Sequence, residues 1–197
     1  HGARFKMKQD KDFLTKYYDQ LSNHLNSSLD ISDDLISIKK AILNADKVNK
    51  KVMIFGNGGS ASIASHFTVD LMKMAKKRCV NLNEANFITC FANDYGYENW
   101  VARAIDFYAD EGDVLILISS SGSSENMLNA ADAARNNRMS SIITLSGFDS
   151  NNPLRSKGDI NLWLDSRSYN YVENIHQIWL LSVVDMIIGK IEYPNTI

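Results

Sequence analysis

The chain has 197 residues, of which 45% are hydrophobic and 22% charged, and its formal net charge is −2. This length and composition predict one globular domain with a sizeable buried core. The near-neutral charge, with both signs interspersed, excludes the basic face that a nucleic-acid-binding protein needs.

The N-terminal 50 residues predict a pair of helices. Residues 1–6 look like an expression scar, and we expect residues 7–197 to form a single domain. Beyond them, every fourth position from Phe13 to Leu25 is apolar, which predicts one face of a helix. Ser32 is a suitable N-cap for a second helix.

After residue 50, short apolar runs alternate with segments of helical period. The predicted strands cover residues 52–55, 79–82, 114–118, 141–145 and 160–164. The predicted helices cover residues 60–76, 85–92, 98–110, 125–136 and 172–188. Such alternation predicts an α/β fold in which a parallel sheet is covered by helices on both faces.

Two further features bear on location. The longest apolar run, near residues 178–188, contains Asp185 and is too short to cross a bilayer, which takes about 20 residues. Cys79 and Cys90 form no CxxC pattern and suggest no disulfide framework. We therefore expect a reduced, cytoplasmic protein with no membrane partner.

The first predicted strand leads into a glycine-rich turn, residues 56–61, ahead of a helix. Glycines let the backbone approach a ligand, and the N–H groups at a helix start attract an anion. Gly56, Gly58 and Ala61 also fit a dinucleotide fingerprint, which leaves a nucleotide-dependent oxidoreductase open. A plain strand-to-helix turn is the structural alternative.

Five serines surround Gly122 between the third predicted strand and the helix that begins at Glu125. One serine there would be explained as a helix cap. Five exceed what capping needs, and their hydroxyls, the nearby N–H groups and the helix dipole can together hold a phosphate. No lysine lies in the loop, so it is not a Walker A site. Both loops follow parallel strands, where ligands of such sheets bind.

Three segments carry a distinctive pattern, residues 54–71 (IFGNGGSASIASHFTVDL), 93–99 (NDYGYEN) and 112–124 (GDVLILISSSGSS). In this order they resemble the phosphoheptose (sedoheptulose 7-phosphate) isomerases of the sugar isomerase (SIS) family. The resemblance implies a three-layer sandwich with a five-stranded parallel sheet and an added N-terminal helical pair. It also implies a homotetramer with active sites between subunits. The family reaction is an aldose–ketose isomerisation through an enediol, which supplies heptose for surface polysaccharide.

The resemblance also assigns ligand-binding residues. Those that match the family's phosphate-binding serines are Ser119, Ser120, Ser121 and Ser124. Those in or beside positions that contact the sugar are Asn57, Gly58, Ser60 and Asp94. A phosphorylated sugar is therefore the expected ligand.

The family's catalytic centre, where many members bind zinc, departs from the pattern here. The family has a His and a Glu four residues later on one helix, and a Gln and a His eight residues later on the last helix. This chain has His66 and Asp70, on one helix face, then Glu173 and Leu181. His66, Asp70 and Glu173 are candidate zinc ligands, but Leu181 argues against zinc because such sites usually need three or four protein ligands.

Glu173 is the expected proton-transfer base, or shares that role with Asp70, and His66 is a further catalytic candidate. His176, three residues after Glu173, could face the same side and act as acid or base, since imidazole titrates near neutrality. A hydrogen-bonded structural histidine is the alternative. The sequence thus predicts a sugar-phosphate isomerase. The alternative is a non-catalytic SIS protein that binds a sugar phosphate or a protein partner such as a replication initiator, because the second family histidine is absent.

Overall fold

A computed structural model describes the backbone of residues 2–194 and the side chains of residues 5–194. Two helices precede the sheet, α1 (Gly2–Ser27) and α2 (Ser32–Lys47), joined by a 3-10 turn at Ser28–Ile31. The predicted helical pair is therefore confirmed. Residues 2–6 continue α1 and His1 lies outside the described residues, so the origin of this segment stays a prediction.

The sheet has five strands, all parallel, in the order β2-β1-β3-β4-β5. Their bounds are β1 Val52–Gly56, β2 Cys79–Val80, β3 Val114–Ser119, β4 Ser141–Ser146 and β5 Ile160–Trp163. Every residue of β1 and β3 is buried, which explains why these strands read as continuous apolar runs rather than alternating ones. The five-stranded parallel sheet is confirmed.

Helices cover both faces of the sheet. They are α3 Gly59–Lys73, α4 Ala85–Tyr95, α5 Trp100–Tyr108, α6 Glu125–Asn136 and α7 Tyr169–Ile188. One core cluster packs α2, α3 and α7 against the sheet, around Ile42, Phe67 and Ile175. The other packs α5 and α6 against the opposite face, around Trp100 and Met127. This is the expected three-layer sandwich. Within residues 2–194, no helix is long and apolar enough to cross a membrane.

Helix α7 carries Glu173 and packs beside α3. The side chain of Ser168 accepts a hydrogen bond from the N–H of Tyr171 at its start, and Gly189, with φ 85°, ends it in the left-handed conformation. Its apolar side packs on the sheet, and α3 lies beside it. Glu173, Gln177 and Leu181 follow one another at four-residue steps and so share one face.

Candidate functional site

The carboxyl ends of β1 and β3, which are neighbours in the sheet, open into a cavity of about 290 Å³. The turn after β1, the serine loop after β3 and the start of α7 line it. The predicted residues that it brings together are Asn57, Gly58, Ser60, Ser119, Ser120, Ser121, Ser124 and Glu173. Within residues 5–194, no lysine or arginine lines the cavity.

The serine loop is held in shape by its own contacts. Gly122 has a φ of 66°, and a Cβ there would overlap the side chain of Asn152. Asn152 is itself fixed, because its amide donates to the hydroxyl of Ser146 at 3.1 Å and to the carbonyl of Gly147 at 3.2 Å. Glycine at position 122 is thus required by both conformation and space.

The hydroxyls of this loop are not used as helix caps. Ser124 occupies the N-cap position of α6, yet its side chain makes no capping hydrogen bond and instead contacts the hydroxyl of Ser119 at 3.0 Å. Ser120 is buried, and its hydroxyl has no hydrogen-bond partner in the described part of the chain. A buried hydroxyl without a partner costs about 1–3 kcal/mol. A ligand in the cavity that bonds the hydroxyl of Ser120 would remove this cost.

Asn57 is fixed from two sides. Its amide exchanges two hydrogen bonds with the amide of Asn126, at 3.0 and 2.9 Å, and its Oδ1 also accepts from the hydroxyl of Tyr97 at 2.9 Å. Asn126 is buried on the first turn of α6. The pattern around the glycine turn did not reveal either partner, because both contacts are long-range in sequence.

Glu173 lies against the start of α3. A Cβ built on Gly59 would come within 2.5 Å of Oε2 of Glu173, so only glycine leaves room for the carboxylate there. Tyr169, one turn earlier on α7, also lines the cavity, and its ring packs edge-on against Phe148 with centroids 4.8 Å apart. Tyr169 was not among the predicted site residues, although its four-residue spacing from Glu173 indicates a shared face.

His66 and Asp70 lie farther along α3 and do not line the cavity. Nε2 of His66 is 3.3 Å from Oδ2 of Asp70, which confirms that the pair shares a helix face. Nδ1 of His66 contacts Nε2 of Gln177 on α7 at 3.1 Å. Gln177 was not among the predicted site residues, although its position four residues after Glu173 indicates a shared face.

The candidate zinc ligands do not fit a zinc centre. Glu173 sits at Gly59, whereas His66 is seven residues, or about 10 Å, farther along the axis of α3. Over residues 2–194, no group of three His, Cys, Asp or Glu side chains gathers closely enough to hold a metal. Leu181, on the next turn after Gln177, offers no donor atom.

His176 does not join Glu173, and the expectation that it faces the same side is wrong. Its side chain is completely buried, and Nε2 lies 2.9 Å from the carbonyl oxygen of Ser146. Side chains three positions apart on a helix point in directions that differ by about 60°. Here this difference places Glu173 at the cavity and His176 against the sheet. Loss of solvent lowers the pKa of His176 to about 4, against the smaller opposing effect of its hydrogen bond. The structure therefore supports the structural alternative.

Asp94 is exposed and does not line the cavity, so its contact with the sugar stays a prediction. It lies on α4, and its carboxylate accepts from the amide of Asn93 at 2.9 Å. The following segment does reach the site, since Tyr97 contacts Asn57. The segment 93–99 thus contributes a side chain that positions Asn57.

The chain is similar to a known protein family in sequence and to solved structures in fold. The SIS domain family matches residues 16–147. A phosphoheptose isomerase from Photorhabdus laumondii is 34% identical, with 89% of this chain and 96% of that protein covered. Another from Proteus mirabilis is 33% identical, covering 91% and 93%. The structure of a phosphoheptose isomerase from Francisella tularensis superimposes with a TM-score of 0.83 at 26% identity, covering 91% of this chain and 98% of that one.

Proposed function

Because the chain belongs to the SIS domain family, and within it to the phosphoheptose isomerases, we propose that it is an isomerase of sugar phosphates. Its substrate is sedoheptulose 7-phosphate, which it converts between ketose and aldose forms. The heptose phosphate so formed supplies surface polysaccharide. The relatives do not favour the non-catalytic alternative, and the family match removes support from the oxidoreductase interpretation.

One observation carries the proposal: the buried, unpartnered hydroxyl of Ser120 in a cavity lined by three other loop serines. The loop ends at the start of α6, where backbone N–H groups and the helix dipole favour an anion. A phosphate group placed there would satisfy Ser120. The phosphate end of the substrate therefore defines one end of the cavity.

The carboxylate of Glu173 defines the reacting end. Among the residues that line the cavity, it is the one carboxylic acid. An aldose–ketose isomerisation needs a base that takes a proton from the carbon beside the carbonyl and returns it to the neighbouring carbon through an enediol. Glu173 performs this transfer, alone or with Asp70, while Asn57, fixed by its amide pair, contacts the sugar hydroxyls.

We also propose a cytoplasmic homotetramer with active sites between subunits. Large apolar side chains of α1 are exposed on the single chain, among them Phe13, Leu14 and Tyr18. Such side chains are normally covered in an assembly. Packing between subunits would also bring Asp94, which lies outside its own chain's cavity, to a neighbouring site.

The test is turnover of sedoheptulose 7-phosphate, followed by NMR of the aldose product, by the wild type and by Glu173→Gln. We expect Glu173→Gln to lose at least about 100-fold in kcat, since proton transfer by a positioned side chain is worth that much. Asn174→Ala is the matched control, because Asn174 is exposed on the same turn and bonds only the carbonyl of Asn170.

Full turnover by Glu173→Gln would contradict the role of Glu173. Absence of turnover by the wild type, with and without added zinc, would contradict the isomerase itself. If sugar phosphate still bound in calorimetry under those conditions, the non-catalytic alternative would replace it.

A further inference from the structure

Both ring nitrogens of His66 are engaged between α3 and α7. Nε2 faces the carboxylate of Asp70 at 3.3 Å, and Nδ1 contacts the side-chain amide of Gln177 at 3.1 Å. We call these three side chains the polar row. It runs across the interface of the two helices that carry the catalytic candidates.

The row fixes the tautomer of the imidazole. The amide nitrogen of Gln177 only donates hydrogen bonds, so Nδ1 of His66 accepts with its lone pair. In the neutral ring the hydrogen is then on Nε2, the nitrogen that faces the carboxylate of Asp70 at 3.3 Å. A carboxylate beside Nε2–H is compatible with this tautomer.

This arrangement differs from a metal centre in its chemistry. A histidine ligand needs one ring nitrogen with its lone pair directed at the metal and the other bound to a supporting group. Here the nitrogen with the lone pair is occupied by Gln177, and the other carries the hydrogen and lies 3.3 Å from Asp70. Leu181, one turn after Gln177 on the same face, is apolar, and the side chain of Asp70 is one methylene shorter than a glutamate.

We propose that Gln177 is a positioning residue that holds neutral His66 with its Nε2–H directed at Asp70, and that this polar row stands in place of a metal centre. His66 in turn orients Asp70 through Oδ2. The effect on turnover rests on the proposed function, whereas the tautomer and the absence of a metal requirement do not.

NMR of the imidazole nitrogens tests the row without substrate. In 15N-labelled wild type at neutral pH, we expect His66 to show an unprotonated Nδ1 whose resonance is displaced by an accepted hydrogen bond. Gln177→Met keeps the length of the side chain but has no N–H, so this displacement should be lost, while Asn174→Ala leaves it unchanged. Identical His66 spectra in the wild type and Gln177→Met would overturn the proposal.

Metal content and kinetics supply two more readouts. The purified wild type should hold no stoichiometric zinc, and a chelator should leave its turnover unchanged. Gln177→Met should lose roughly tenfold in kcat with little change in KM, the typical scale for a supporting hydrogen bond. Zinc bound one per chain and lost on His66→Ala would overturn the proposal. So would an unchanged kcat in Gln177→Met.

Failure of the isomerase proposal is distinguishable from failure of the polar row. A wild type that converts no sugar phosphate, yet shows the expected His66 resonance and its loss in Gln177→Met, contradicts the function and supports the row. A metal-dependent wild type that turns over sedoheptulose 7-phosphate supports the function and overturns the row.

Discussion

The Ser120 hydroxyl is the polar group of the site that most clearly lacks a partner. It is buried, it lines the cavity, and the rest of the loop satisfies its own hydrogen bonds without it. Ser123, three residues later, is the converse case. It is exposed, it lies outside the cavity, and its hydroxyl contacts the carbonyl of Ser121 at 3.4 Å.

This contrast gives a matched pair of variants. Ser120→Ala should weaken binding of sedoheptulose 7-phosphate and of inorganic phosphate by about tenfold or more, since a hydrogen bond to a charged group contributes about 1.5–3 kcal/mol. Calorimetric titration measures the loss. Ser123→Ala should bind as the wild type does. Because no protein partner is lost in Ser120→Ala, its thermal midpoint should not fall. Equal affinities for the two variants would contradict the phosphate site.

At the scale of elements, the position of the Glu173 carboxylate against the start of α3 depends on Gly59. The carboxylate of Glu173 occupies the space that any side chain at position 59 would need. Gly59 is also the first residue of α3, where its φ is not left-handed. Alanine can adopt this backbone conformation without strain, and such a substitution stabilises a protein by about 0.4–1 kcal/mol because it restricts the unfolded chain.

Gly59→Ala should therefore change stability and activity in opposite directions. The free energy of unfolding should stay level or rise, because the flexible end of Glu173 can move aside, while kcat falls as the carboxylate is displaced. Urea unfolding and turnover measure the two effects. In a Glu173→Gln background the same substitution should cause no further loss of turnover. A Gly59→Ala enzyme with full activity would show that the position of the Glu173 carboxylate is not critical.

The strands and both loops could be predicted from sequence because their signals are local. Buried parallel strands are continuous apolar runs, and glycine and serine mark the turns that follow β1 and β3. The bounds of less regular elements differ from the prediction. The strand β2 has only two residues, and the predicted helix 98–110 is in fact a 3-10 turn followed by α5, which begins at Trp100. Where the sequence pattern is weak or mixed, tertiary packing determines where such an element begins and ends.

The site itself was predicted in part, and its errors share a cause. The loop serines were predicted from a motif and Glu173 from its position on the last helix. All of them line the cavity. Gln177 and Asn126 were missed because each acts through a contact between separate elements. His176 was misplaced because a 60° offset on α7 decides between cavity and core, and no local pattern settles that rotation.

For the whole molecule, the burial of neutral His176 links folding to pH. In the unfolded chain the histidine has its ordinary pKa of 6.5, whereas burial lowers the pKa to about 4 in the folded state. The unfolded chain therefore binds more protons below pH 6.5, and stability is lost as the pH falls from about 6.5 toward 4. The full loss from this group is roughly 3 kcal/mol, at 1.36 kcal/mol per pKa unit.

Urea unfolding at pH 7.5 and pH 5 measures this effect. The wild type should lose about 2 kcal/mol more between the two values than His176→Gln does, since glutamine can donate to the carbonyl of Ser146 but does not titrate. His176→Gln can be less stable at both pH values without affecting the comparison. Parallel pH profiles for the two proteins would contradict a buried, neutral histidine.

Among the residues of 5–194 that line the cavity there is no cationic side chain. The proposed phosphate would therefore be recognised by hydroxyl groups and backbone dipoles, which have fixed directions, rather than by net charge. Mobile salt ions screen charge pairs at a surface but do little to short, enclosed hydrogen bonds. The chain would accordingly select a ligand by the geometry of its phosphate oxygens, and its occupancy would follow the concentration of sugar phosphate in the cell rather than the ionic strength around it.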